Sequence, residues 1–214
     1  MLFLGYDPGG RRAAGAAVLE LNGRIAELLA AGTFESVDEA FNFFIRTVDQ
    51  GHVEAAGIDT FLSWATRASG WREVDRYLRR AYPEVASSVL ASNTVAGSMA
   101  VQGMAMALKL RQVWPQIILN ETHPKVLYYA LSGSKHDFGP GMIVWLAERL
   151  VIPSGLAIRN DHEWDAAFSA WATAPASADG SGWQDLMDLP DKLLFPAGPV
   201  TYRWPGPQTG LTKT

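Results

Sequence analysis

Four carboxylates fall where apolar segments stop. Asp7 ends the run Leu2-Phe3-Leu4-Gly5-Tyr6, Asp59 ends Val53 to Ile58, Glu121 ends Ile117-Ile118-Leu119-Asn120, and Asp165 lies inside Trp164-Asp165-Ala166-Ala167-Phe168. Interior strands of an α/β sheet are buried, so an acid at their ends must face a crevice, a partner or a metal. Converging carboxylates are hard oxygen donors suited to Mg2+ or Mn2+. Two such ions about 3.5–4 Å apart activate a water and stabilise the leaving oxygen of a phosphodiester. Metal-dependent phosphodiester hydrolysis is therefore the chemistry open to Asp7, Asp59, Glu121 and Asp165. Each acid also has an ordinary alternative. Asp7 in Asp-Pro-Gly-Gly suits a turn, Asp59 before Thr60 suits a cap or an arginine pair, and Glu121 suits a half-exposed strand. Asp165, with apolar or small neighbours on both sides, must be either buried against a partner or lining a site.

The elements that must hold these acids follow from patterning. Leu2 to Tyr6 reads as a strand ended by Asp7-Pro8-Gly9-Gly10, and the segments 13–21 and 25–34 flank the hairpin signal Asn22-Gly23. Three antiparallel strands in a row are expected. Ser36-Val37-Asp38-Glu39 is a capping-box pattern before helically spaced Phe41, Phe44, Ile45 and Val48. A buried strand over 53–58, helices over 71–82 and 94–113, and a buried strand over 117–121 come next. A turn at Pro124 and helices over 125–131, 142–150 and 161–173 follow, the last capped by Asn160 or Asp161 and stopped by Pro175. Antiparallel strands followed by helical crossovers imply a mixed sheet with helices on both faces.

Four motifs in this order, Gly5-Tyr6-Asp7-Pro8-Gly9-Gly10, Gly57-Ile58-Asp59, Asn120-Glu121-Thr122-His123-Pro124 and Asp161-His162-Glu163-Trp164-Asp165-Ala166, resemble a predicted-nuclease family of unknown function with a ribonuclease H-like fold. The last is also similar to the final acidic helix of Holliday-junction resolvases of that fold. The resemblance spans residues 1–175. It implies an α/β fold with a five-stranded mixed sheet of order 3-2-1-4-5. It further implies that Asp7 bridges the metals, Asp59 and Glu121 complete the shell, and Asp165 ligates from the helix. The family's Asp-x-Pro-Leu turn reads Asp59-Thr60-Phe61-Leu62 here.

Around the acids, Asp161 and His162 share a helix face with Asp165 by their spacing of four and three. His162 is either a metal neighbour or general base, or a surface residue. His123 assists proton transfer or is a surface histidine. Arg72, Arg76, Arg79 and Arg80 recur at helical spacing, with Arg67 upstream. They form either a phosphate-contacting stripe or a solvated helix face interleaved with Glu73 and Asp75. Arg11 and Arg12 follow the first acidic motif and are either phosphate contacts or ordinary hairpin-edge residues. Trp64 and Trp71 flank the site and either stack bases or pack. Met99, Met104 and Met106 read as core, and His136-Asp137 carries no assigned role.

The chain of 214 residues carries 18 Lys+Arg against 22 Asp+Glu, a net charge of −4, so a nucleic-acid contact needs a local basic patch. An apolar content of 48% excludes intrinsic disorder, and the absence of cysteine excludes disulfides and thiolate chemistry. No apolar run approaches the roughly 20 residues of a membrane span, and the start lacks a signal-peptide pattern, so a cytoplasmic protein with no membrane partner is expected. No internal repeat is visible. Six of the 12 prolines lie from Pro175 onward, and residues 176–214 read as a Pro/Gly-rich extension packed on a domain of residues 1–175. The oligomeric state, a homodimer included, stays open. Two other readings compete with a nuclease: a non-catalytic module of the same fold that binds nucleic acid or protein, and an ATP-binding protein of actin or sugar-kinase architecture. The latter group's phosphate loop is also a strand ending Asp-x-Gly-Gly before a hairpin, but those proteins usually duplicate the domain.

Overall fold

Strand β1 (Leu2–Asp7) pairs antiparallel with β2 (Ala14–Asn22), which pairs antiparallel with β3 (Ile25–Phe34). On its other side β1 runs parallel to β4 (Val53–Ile58), with Gly5 opposite Gly57 and Tyr6 opposite Ile58. A two-residue strand, β5 (Trp64–Ala65), leaves this sheet, so the fifth member is β6 (Ile118–Glu121), parallel to β4. The order β3-β2-β1-β4-β6 places the strands in the sequence expected for five, with β5 inserted before the last. These relationships come from a computed structural model that describes residues 1–9, 13–49, 51–93, 97–174 and 182–206. The hairpin between β2 and β3 turns at Gly23-Arg24, one residue later than the Asn-Gly signal suggests, with Gly23 at φ 64°.

Strand alternation divides the sheet into two faces. Leu4, Tyr6, Ala16, Val18 and Ile58 meet Ala40, Phe44 and Val48 of α1 (Val37–Val48) and Met106, Ala107 and Leu110 of α3 (Ser98–Val113). Phe3, Ala17, Leu19 and Ala55 meet the opposite layer, built from α2 (Glu73–Ala81), α4 (Pro124–Ser132), α5 (Pro140–Ala147) and α6 (Asp161–Thr173). Helices thus cover both faces, as the alternation of elements implied. Half of the expected capping box forms at α1. Ser36 Oγ accepts from the Glu39 amide at 3.2 Å, while the Glu39 carboxylate reaches the Glu35 amide at 3.0 Å. Pro124 makes no separate turn, because it occupies the first helical position of α4, where its missing N–H costs nothing. Of the expected helix over 94–113, residues 94–96 lie outside the described ones.

Helix α6 is buried along nearly its whole length, and three glycines explain how. A Cβ on Gly15 would stand 1.9 Å from the His162 carbonyl oxygen, one on Gly5 1.8 Å from that of Ala166, and one on Gly57 2.2 Å from that of Ser169. Successive turns of the helix therefore lie on β2, β1 and β4, closer than any side chain would permit. Asn160 caps the helix by accepting from the Glu163 amide at 2.9 Å. Trp164 stacks on Phe168 with centroids 4.7 Å apart and donates its indole N–H to the Met142 carbonyl, fixing the helix against α5.

Both sheet edges are occupied. Val151 bridges to β3, donating to the Ala26 carbonyl and accepting from the Leu28 amide. Thr201 bridges to β6, donating to the Leu119 carbonyl and accepting from the Glu121 amide. Within residues 182–206, β7 (Trp183–Asp185) pairs with β9 (Arg203–Pro205) and β8 (Leu193–Leu194) with β5. Tyr202 and Trp204 are buried there. No described helix is long and apolar enough to cross a membrane.

Candidate functional site

The carboxyl ends of β1 and β4 and the first turns of α6 meet at one end of the sheet. Asp7, the last residue of β1, is buried and accepts from the Gly9 amide at 2.9 Å. Its other oxygen lies 2.6 Å from His162 Nδ1, a contact that raises the proton affinity of that ring. Asp165, one helical turn along, is buried with Oδ1 2.7 Å from Nε2 of His136. Burial pushes its carboxyl up to about 6, although the His136 contact works in the opposite direction. Asp59 follows β4, and its backbone N–H donates to the Tyr6 carbonyl at 2.9 Å, which ties it to the end of β1. Its side chain is half-buried and, among the described residues, has neither a hydrogen bond nor an ion pair. Burial, then the charges of Asp7 and Asp165, push its carboxyl well above the usual carboxylate range, against the pull of Lys125. The turn after Asp59 is clamped by α3, where a Cβ on Gly103 would overlap Thr60.

Glu121, expected among these acids, is engaged elsewhere. Alternation on β6 sends Asn120 toward α6, where its Nδ2 donates to Thr173 Oγ1 at 3.0 Å, and turns Glu121 away. Both Glu121 oxygens accept from the Arg72 guanidinium, at 2.6 and 2.8 Å, and one also accepts from the Leu62 amide. Burial nevertheless leaves the Glu121 carboxyl above its ordinary value.

Arg72 therefore belongs to the interior rather than to a nucleic-acid stripe. It is 1% exposed, caps α2, and contacts Asp75, Ser63 and Glu121 at once. Two carboxylates share this one guanidinium, whose own proton is held more firmly than usual. Arg76 reaches Glu73 and Ser69, and Arg79 sits over the Trp71 ring while donating to the Ala86 and Val89 carbonyls. With Arg80 they line a shallow basic depression on α2. Arg11 and Arg12 lie outside the described residues. Asp161 is exposed in the first turn of α6, where an acid complements the helix dipole, and shares only a face with Asp165. His123 Nε2 lies 3.0 Å from the Ser88 carbonyl, and burial pulls the ring down to about 4, so it is neutral at pH 7.

Two residues joined the site without an advance signal. His136 sits in the segment between α4 and α5, edge-on to Tyr128 and Trp164, with no periodicity to mark it. Lys125, in the first turn of α4, contributes a positive charge that acts on Asp59 and Asp165. Among the described residues no three Asp, Glu, His or Cys side chains are gathered closely enough to hold a metal ion. Asp7 and Asp165 each have an oxygen committed to a histidine.

No model of a known protein family matches this chain. No curated protein matches its sequence.

Proposed function

We propose that the protein is a metal-dependent nuclease of ribonuclease H-like fold that hydrolyses phosphodiester bonds of nucleic acid. The observation that carries this reading is Asp59, a half-buried carboxylate with no hydrogen bond or ion pair among the described residues, pressed by the negative charges of Asp7 and Asp165. A group of hard oxygen donors with excess negative charge suits Mg2+ or Mn2+. The three carboxylates are not gathered closely enough to hold an ion as they stand, so Asp7, Asp59 and Asp165 would have to draw together around it. When bound, such an ion supplies Lewis-acid activation of a water and neutralises charge on the phosphodiester. The chain's own residues do the remaining work. Lys125 provides a cation for a phosphate oxygen. Asp7 keeps a proton on the His162 ring. His136 braces Asp165 against rotation, and the basic depression on α2 supplies the local patch that an acidic chain needs for a polyanion.

The test compares wild type with Asp7→Asn on single-stranded and duplex DNA and RNA in Mn2+, alongside thermal unfolding. Wild type is expected to cleave, and the variant to lose about 100-fold or more of the rate while unfolding cooperatively. Cleavage retained in Asp7→Asn would overturn the assignment. The two histidine contacts favour a second reading, a non-catalytic module that binds nucleic acid or protein. In that case Mn2+ would leave the melting temperature of wild type unchanged.

A further inference from the structure

A cavity of about 130 Å3 opens beside Asp59, between the 59–62 turn, the segment preceding α3 and the C-terminal segment. It lies below the roughly 300–1,000 Å3 of sites that enclose a whole drug-sized ligand, so it has room for one ring of something larger. The charges at its floor, Arg72, Glu121 and Asp75, are spent on one another and offer nothing to an anion. Apolar surface surrounds them. Phe61 has the Arg72 guanidinium 4.8 Å from its centroid, and Leu90 and Met99 at the mouth are 49% and 37% exposed.

Tyr202 gives the cavity a polar edge. The residue is 2% exposed, and its hydroxyl has no hydrogen-bond partner among the described residues. Tyr202 lines the cavity together with Arg72, Asp75, Glu121 and Asp59. A ligand edge in the cavity would give that hydroxyl a hydrogen-bond partner. A group with two apolar faces and hydrogen-bonding edges is a heteroaromatic ring. We infer that this cavity is a nucleobase pocket, and that the substrate is a strand presenting an unpaired nucleotide rather than an intact duplex. The inference rests on the nuclease reading. Asp59 belongs both to the cavity and to the acidic group, so a base seated here brings its own phosphate to the carboxylates. Bases in a duplex have their edges paired and faces stacked, and cannot enter without leaving the helix.

The probes are nucleoside 5′-monophosphates and ribose 5-phosphate, titrated calorimetrically in EDTA so that no metal takes part. The nucleotides are expected to bind at least about tenfold more tightly than the sugar phosphate, since a stacked base contributes about 1–3 kcal/mol. Tyr202→Phe, which keeps the ring and removes only the unpaired hydroxyl, is expected to weaken nucleotide binding several-fold without lowering the melting temperature. Leu90→Glu, at an exposed position, is expected to weaken it as well. Equal affinity for nucleotide and sugar phosphate, or undiminished binding by both variants, would overturn the pocket. A wild type that binds nucleotides but cleaves nothing keeps the pocket and loses the nuclease. One that cuts duplex and single strand equally keeps the nuclease and loses the pocket.

Discussion

Gly5 and Ala166 approach so closely that a Cβ on Gly5 would stand 1.8 Å from the Ala166 carbonyl oxygen. Asp165 precedes Ala166, and Asp7 lies two residues beyond Gly5 on the same face of β1. The spacing between two of the acids is therefore set by a backbone contact and not by side-chain packing. Gly5→Ala is expected to cost about 1–3 kcal/mol in urea unfolding, as overpacking of a rigid contact does, and to abolish cleavage by lifting α6. Gly23→Ala is the control. Its φ of 64° makes it mildly unfavourable, by about 1 kcal/mol, but nothing lies within 4 Å and the site is remote, so activity should persist.

Arg72 and Arg76 should separate cleanly. Arg72→Met leaves Glu121 and Asp75 buried without a counter-charge, an expected loss of about 3–5 kcal/mol in denaturant unfolding. Arg76→Gln, half-exposed with partners at the surface, is expected to change stability by less than about 0.5 kcal/mol. It should instead weaken nucleic-acid binding and reduce the salt dependence of that binding by roughly one ion.

The Asp165 carboxyl, held at about 6, binds its proton more tightly in the folded chain than in the unfolded one, where the ordinary value is near 4. The folded state thus carries the extra proton between those values, and this contribution to stability fades as pH rises from 4 through 6. Asp59 acts in the same direction. His123, pulled down to about 4, acts in the opposite one, since its contribution is lost as pH falls from 6.5 toward 4. Melting curves at pH 4, 5, 6 and 7 should show Asp165→Asn gaining stability relative to wild type as pH rises. His123→Gln should gain relative to wild type as pH falls. A Mn2+-induced rise in melting temperature is expected to grow above pH 6, where the Asp165 carboxyl no longer holds its proton against the ion.

Tyr6 lies on the opposite face from the acids, 1% exposed, and its hydroxyl has no hydrogen-bond partner among the described residues. Tyr6→Phe removes a buried polar atom that no described residue pairs with. The variant is expected to match or exceed wild type in stability by up to about 1 kcal/mol in chemical unfolding.

Much of this arrangement could be read from local pattern. The apolar runs ending in Asp7 and Asp59, the hairpin signal and the Asn160 cap are all short-range features, and each led to the right element. Asp165 was legible because an acid among tryptophan, alanine and phenylalanine must have a reason to be there. Arg72 was not, because its partner Glu121 is 49 residues away and its helical spacing with Arg76 looks the same whether it points inward or outward. Glu121 carries a usable signal in its strand register. Ile117 and Leu119 read as one face of β6, so Glu121 had to share it, opposite Asn120. His136 had none, since a loop residue takes its role from whatever the fold brings to it.

Thr201 donates to and accepts from the outer edge of β6, and Tyr202 follows it into the cavity beside Asp59. A nascent chain that has already released all three acids from the ribosome thus still lacks one wall of the cavity and the guard on that strand. Until residues 201–204 emerge, the edge of β6 is open to pairing with another chain. Premature termination after α6 would therefore yield a product that keeps its carboxylates but is prone to self-association.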